Sequence, residues 1–553
     1  MKQSRRQMLR LTGQAVAAAA LAPSFCIGAQ RKTAEESVGA IVGEKVGAEA
    51  GLRILAEGGN AIDAIVAGAL VSCVAAPARC GVGGYGGHLT IALAGGTKVT
   101  SIDFNSTAPR AARPDMYPLD DAGKVKGDIN FHGWLAVGVP GTLAGIQMAL
   151  DRYGTRSFRE LAQPAIQLAK KGLVMPGNLA TTLRSAAPRL RKDPGSAKIY
   201  FKEGEPLKAD EILHNPELAE LLSTLAERNS VESFYRGDIA QRLADEFKKK
   251  GGLVTAADLA AYQACEVQPL KMDWKEFSIH TAPLTAGGLT VLEALTISKT
   301  LDTNPRSNSG KSVHARLEAL RLAWKDRLEL LGDPEKVRVP VEKLLSRDYA
   351  RDLAKKIGFA LKQQRPVPIE IQKNLQDGTV NLSCVDRHGN MIAMTLTQGG
   401  GFGAQVTAEG LGVMLGHGMS RFNPRPDHPN CPAPGKRPLH NMCPLVVLRR
   451  GKPVVAVGAA GGVKIPNALY EVLTQFVARG ETLESAVSAP RIHCTGTTEV
   501  SVERMYPKES TDYLKQVGFD VSTGPHATVR RLLRFQEWRV PIRHAMKGNH
   551  PIR

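Results

Sequence analysis

Thr379 follows Gly378 at the head of an alternating run, and it is the residue that could bring two reactive groups to one place. A cut between Gly378 and Thr379 would leave a hydroxyl and a free α-amine on the same terminal residue. An α-amine titrates at about 7.7–8.0, so near neutral pH it accepts the hydroxyl proton and the oxygen becomes a nucleophile. The competing reading is structural: a threonine that opens a strand is commonly just a β-branched strand residue.

The elements that must hold Thr379 are legible around it. Val380, Leu382 and Cys384 alternate with Asn381 and Ser383, which predicts a strand; a turn follows at 387–390, and a second strand over 391–397. The glycine-rich run 399–403 then lets the backbone approach closely. The polar segment 361–376 supplies a connector ahead of the scission point. Further on, strands at 445–448 and 454–457 lead through Gly461 and Gly462 into a helix over 465–479. Two glycines at a helix entrance present backbone N–H groups to an anion, as an oxyanion hole would; the plainer alternative is a strand-to-helix turn.

Upstream, a helix is predicted over 44–57 and a second, capped by Asn60, over 61–77. The second is small and apolar on every side, which predicts burial. Residues 81–86 match G-x-G-x-x-G, a dinucleotide fingerprint, but a helix precedes them and a strand at 88–94 follows. The fingerprint needs the reverse order, so the match reads as a tight backbone passage into a core strand, and no cofactor is expected. Residues 97–104 return as a strand, 143–153 form a helix, and helical patterns dominate from 158 to about 330 around a short strand at 277–281.

Composition narrows the function classes. Of 553 residues, Lys and Arg outnumber Asp and Glu by a net +19, which raises the question of nucleic acid. The charge is dispersed and aromatics are 5%, so no stacking platform is present and no nucleic-acid partner is expected. Lys2, Arg5, Arg6 and Arg10 precede a short apolar run ending near Ala22, too short and weakly apolar for a membrane span. This reads as a signal peptide over 1–29 of the twin-arginine type, sending the protein to the periplasm or outside the cell. The eight cysteines include no C-x-x-C, so no zinc ribbon and no metal is expected; several sit in apolar runs and read as small buried hydrophobes.

Taken together, EGGNAIDAIVAGAL, GVGGYGGHL, IDFNSTAP, VGVPGTLAG, TAPLTAGG, LAWKDRLELLGDP, NLSCVDRHGN, GKRPL and VGAAGG, in this order and spacing, resemble the γ-glutamyltranspeptidase (glutathione hydrolase) family. The resemblance spans about 38–503. It implies an α/β (α+β) fold, a four-layer αββα sandwich of the N-terminal-nucleophile hydrolase type, made as a precursor that cuts itself. Residues 30–378 would be the large subunit and 379–553 the small, catalytic one, together forming one composite domain. Thr379 would attack a small-molecule peptide or acyl amide, with Thr397 hydrogen-bonded to Thr379 and Gly461 and Gly462 as oxyanion donors. Water or an amine would release the acyl group.

The resemblance also marks departures in the substrate pocket. Asn105 stands where the family has a carboxylate-reading arginine, and His440-Asn441 where it has a serine pair. Gly399, Gly418 and Arg421 stand where it reads the α-amine with amide and acid side chains. Arg421 would repel an ammonium, which implies an acyl donor without that amine, carrying a carboxylate that faces Arg421; the alternative is repacked loops and continued use of γ-glutamyl peptides such as glutathione. The same substitutions suit a competing expectation, a secreted scaffold that keeps the fold without maturing. After Val529 the family expects a closing strand, whereas this chain turns basic and unpatterned.

Overall fold

The computed structural model describes residues 38–302, 307–371 and 378–524, with the backbone of 528–529. The signal peptide expected over 1–29 and the basic segment after Val529 lie outside the described residues.

The alternating run forms Val380–Asp386, paired antiparallel with Met391–Thr397, Val380 opposite Leu396 and Cys384 opposite Ile392. The turn between them is closed by one carboxylate. Asp386 Oδ1 accepts from His388 N at 2.9 Å and Asn390 N at 3.0 Å, and its Oδ2 accepts from Asn390 Nδ2 at 2.7 Å. The same Oδ2 accepts Ala61 N at 2.9 Å, so the turn is fastened to the first residue of the helix Ala61–Ala75. Asn60 caps that helix in a capping box with Asp63, and every residue of it is buried, as its uniformly apolar surface requires.

The strand that follows Thr379 lies inside a six-stranded antiparallel sheet. Its order is Gly39–Val42, Val380–Asp386, Met391–Thr397, Gly86–Ala92, Val99–Asp103 and Cys265–Val267. A second, four-stranded sheet runs Lys452–Val457, Leu445–Arg449, Phe277–Thr281 and Leu270–Trp274. Period-two alternation gives each sheet two apolar faces. Val385, Met391 and Ala393 of the first sheet meet Val446, Leu448 and Ala456 of the second in one cluster. Leu382, Ile392 and Met394 point the other way, into the core built on Ile62, Ile65 and Val66 of the buried helix. Ile279, Leu445 and Val455 pack with Leu292, Leu317 and Leu469 from the helices Gly288–Thr300, Gly310–Leu330 and Lys464–Leu473. Each fully buried aliphatic side chain contributes roughly 1.5–3 kcal/mol, so these faces fix the strand register firmly.

The passage 81–86 runs from the buried helix into the strand Gly86–Ala92, as its context predicts. Other bounds differ. The predicted helix 465–479 is Lys464–Leu473 followed by a wider π turn at Thr474–Ala478. Helices Gly177–Leu190 and Pro194–Tyr200 fall within the helical stretch expected over 158–330 without having been singled out, while the helix Arg347–Lys362 and the strands Cys265–Val267 and Leu270–Trp274 were not anticipated. Thr528–Val529 pairs with Ala459–Ala460, so a two-residue closing pair precedes the basic segment. Six of the described cysteines are buried, Cys265 is partly exposed, and none of the described seven is disulfide-bonded.

Candidate active site

Thr379 sits at the mouth of the central strand pair and is 5% exposed. In the uncut chain its hydroxyl donates to the carbonyl of Gly378, the residue before it. The Thr397 hydroxyl donates to the same oxygen at 2.9 Å, and Thr397 Oγ1 in turn accepts from Gly399 N at 2.9 Å. Strand register produces this convergence: with Val380 opposite Leu396, the next pair outward is Thr379 and Thr397. Gly378 is held at φ +88°, and a Cβ there would collide with Gly400, so the residue before the bond has to be glycine. Two hydroxyls on one carbonyl oxygen withdraw charge from its carbon, which is what an attack on that carbon needs.

The stretch 416–421 packs over Gln398 and Gly399. His417 N donates to Gln398 O at 3.1 Å, and Gly416 N to Gly83 O at 3.1 Å. The His417 ring lies against Gly399 and beside Phe131 and Tyr85, with centroids at 5.5 and 6.0 Å. Arg421 donates from Nε to the Tyr85 hydroxyl at 3.0 Å, and its guanidinium stands 5.5 Å from the ring centre. His440 stacks on Tyr85 at 4.8 Å. Its N–H donates to Thr285 O at 2.8 Å, and its carbonyl accepts from Arg327 Nη2 at 2.6 Å. Arg327 is fully buried, and burial pulls its guanidinium down to about 10. Burial first, and then the Arg421 charge, hold both His417 and His440 well below the usual imidazole value, so both rings are neutral. His440 Nε2 is buried without a hydrogen-bond partner among the described residues.

Of the other residues singled out in the sequence, Asn105 is fully buried; its Nδ2 donates to Thr285 Oγ1 at 2.6 Å and Pro438 O at 2.7 Å, while its Oδ1 has no partner among the described residues. Thr285 thereby bridges Asn105 to the His440 backbone. The Asn441 carbonyl lies against Gly287. Gly461 and Gly462 stand just before Lys464–Leu473, whose first turns donate back to their carbonyls. The strand Ala459–Ala460 packs on Val380–Asp386, and Gly458 abuts the Asn381 side chain two residues beyond Thr379. The structure therefore joins Gly378, Thr379 and Thr397 through one oxygen, and Arg421 with His440 through Tyr85. His417, Tyr85 and Arg327 were missed, because nothing local distinguishes a lone histidine after a glycine or an arginine inside a helix. Among the described residues no group of three or more His, Cys, Asp or Glu is placed to hold a metal.

Comparison with known proteins gives this geometry its context. The family model for Gamma-glutamyltranspeptidase matches residues 47–534. The chain is 36% identical over 455 residues to a glutathione hydrolase proenzyme of Pseudomonas sp. (strain A14), covering 78% of this chain and 77% of that protein. It is 32% identical over 473 residues to the acylase ACY 1 proenzyme of Pseudomonas sp. (strain V22), covering 84% of each. Its fold is similar to the crystal structure of cephalosporin acylase from Bacillus halodurans, with TM-score 0.78, 28% identity and coverage of 88% and 89%. The chain belongs to the γ-glutamyltranspeptidase family of hydrolases and transferases with an N-terminal nucleophile.

Proposed function

We propose that Thr379 is both the agent of self-scission and the nucleophile of the mature enzyme, a γ-glutamyltranspeptidase-like amide hydrolase and acyltransferase. The observation that carries this is the Gly378 carbonyl, which receives both the Thr379 and the Thr397 hydroxyl. Thr379 Oγ1 bonds to that carbonyl carbon, the C–N bond to Thr379 breaks, and the chain shifts to an ester with a free α-amine. Water then cleaves the ester, leaving a carboxylate on Gly378. In turnover the freed amine takes the hydroxyl proton, the oxygen attacks a substrate amide, and the protonated amine serves the leaving group. Gly461 and Gly462 would donate to the tetrahedral oxyanion, a contribution of about 2.7–4 kcal/mol per donor. Asn105, Arg421, His440 and Asn441 would border the acyl pocket, and water or an amine acceptor would complete the cycle.

The same reading makes 30–378 and 379–553 two chains of one αββα sandwich: two sheets face to face, with helices on each outer side. Residues 1–29 would direct export through the twin-arginine route. Among the described residues no helix is long and apolar enough to cross a membrane.

Intact mass and N-terminal sequencing test the proposal. Purified protein should give two chains, the smaller starting at Thr379, and should hydrolyse an acyl anilide; Thr379→Ala should stay whole and inactive. A whole chain that turns over substrate, or an active Thr379→Ala protein, overturns it.

A further inference from the structure

The helix Arg347–Lys362 carries an outward face that its packing does not explain. Ala350, Leu353, Ile357 and Ala360 bury its other side against Ile297, Ala315 and Leu322, which fixes its rotation. That rotation turns Phe359 to solvent, where it is 58% exposed. It is the one phenylalanine among the described residues whose side chain is exposed. Residues three and four positions away share its face, and these include Lys355, Lys356 and Lys362, all exposed. A Cβ on the neighbouring Gly358 would meet nothing within 4 Å, so the surface beside the ring is open. Neither Gly358 nor Phe359 serves the helix itself, since both are poorer helix formers than alanine and the ring gains little burial.

The charge on this face is positive. Asp348 and Asp352 lie at its N-terminal end and pair with Arg351 at 2.8 Å and Lys355 at 2.9 Å. From residue 353 to residue 365 there is no acid, whereas Lys355, Lys356, Lys362 and Arg365 are all exposed. The whole chain, at a net +19, is drawn toward an anionic surface from a distance. An acidic peptide would satisfy the lysines and leave the protruding ring in water. A layer of anionic lipid satisfies both: the long lysine stems lie along the interface with their ammonium groups at the phosphates, and the ring enters the boundary between headgroups and acyl chains.

We propose that this face of Arg347–Lys362 docks on a membrane surface rich in anionic phospholipid, with Phe359 inserted and Lys355, Lys356 and Lys362 over the phosphates. The contact involves no covalent step and is independent of the chemistry at Thr379.

The full chain, mixed with vesicles of phosphatidylglycerol and phosphatidylcholine, should sediment with them, and at least about tenfold less with phosphatidylcholine alone. Phe359→Ala should lower the partition coefficient about tenfold. Replacing Lys355, Lys356 and Lys362 together by glutamine should lower it about a hundredfold. Both variants should keep the wild-type unfolding midpoint, because the altered side chains stand in water. Phe359→Trp should show a blue shift of its emission when anionic vesicles are added. Partitioning unchanged in both variants assigns the binding to the basic segment after Val529 and overturns the inference. So does a Phe359→Trp protein whose emission stays put on bound vesicles. A wild-type chain that ignores vesicles and binds polyglutamate or DNA overturns it as well.

Discussion

The Thr397 hydroxyl and the Gly378 carbonyl are 2.9 Å apart, joined across the outermost step of the central strand pair. Thr397→Val removes this donor and leaves Gly399 N–H without its acceptor. Because the carbonyl gains charge during attack, the loss should resemble that of an oxyanion donor, slowing self-scission by about 10²-fold. Thr397→Ser keeps the hydroxyl and should stay within about threefold. Intact mass against time, on freshly made precursor, measures both.

Gly399 has φ +97°, and His417 occupies its side-chain direction. Gly399→Ala should therefore combine about 1–2 kcal/mol of left-handed backbone cost with about 1–3 kcal/mol of overpacking. Denaturant unfolding should show the midpoint falling accordingly. Adding His417→Ala should recover the packing part and not the backbone part.

Acid should weaken the fold through its buried histidines. His417 and His440 are held well below the ordinary 6.5. Unfolded chains bind these protons at about 6.5 and the folded protein does not, so the unfolded state gains protons first as pH falls. The stability is present above 6.5 and is lost as pH drops from there toward the folded values, by up to about 1.4 kcal/mol per unit for each ring. Melting temperature followed from pH 7.5 to 5.0 should fall, and His440→Gln should flatten the fall; a rise on acidification contradicts the assignment.

Glu318 and Arg321 hold the chain at Val367, ahead of the proposed cut. Both are fully buried, with Arg321 Nη1 2.8 and 2.6 Å from the two Glu318 oxygens. Val367 N donates to Glu318 Oε1 at 3.0 Å, and Arg321 Nε donates to Thr497 O at 2.9 Å. Glu318→Ala leaves a buried guanidinium without its carboxylate and should cost about 3–5 kcal/mol. Calorimetry should show the loss, and slower self-scission should accompany it, since Val367 belongs to the stretch of chain that leads to Gly378.

The strands Val380–Asp386, Met391–Thr397 and Phe277–Thr281 were legible because alternation and turn residues are local signals. Leu270–Trp274 carries the same alternation at Leu270, Met272 and Trp274, but it directly follows Pro269 and runs into a charged edge. The proposed scission pair could be read as chemistry, since a cut there would put a hydroxyl and an amine on one residue. The wall around it was not, because His417 meets Gly399, and Arg421 meets Tyr85, only once distant segments fold together.

Sheet order has a consequence for the nicked molecule. A cut at Gly378 would assign Val380–Asp386 and Met391–Thr397 to the new chain, although they lie between Gly39–Val42 and Gly86–Ala92 of the other. The two polypeptides would then be interleaved like fingers of two hands, so neither could depart without tearing the shared ladder. Before the nick, renaturation is a first-order event within one molecule; afterwards it requires two strangers to find each other, and its rate must depend on dilution.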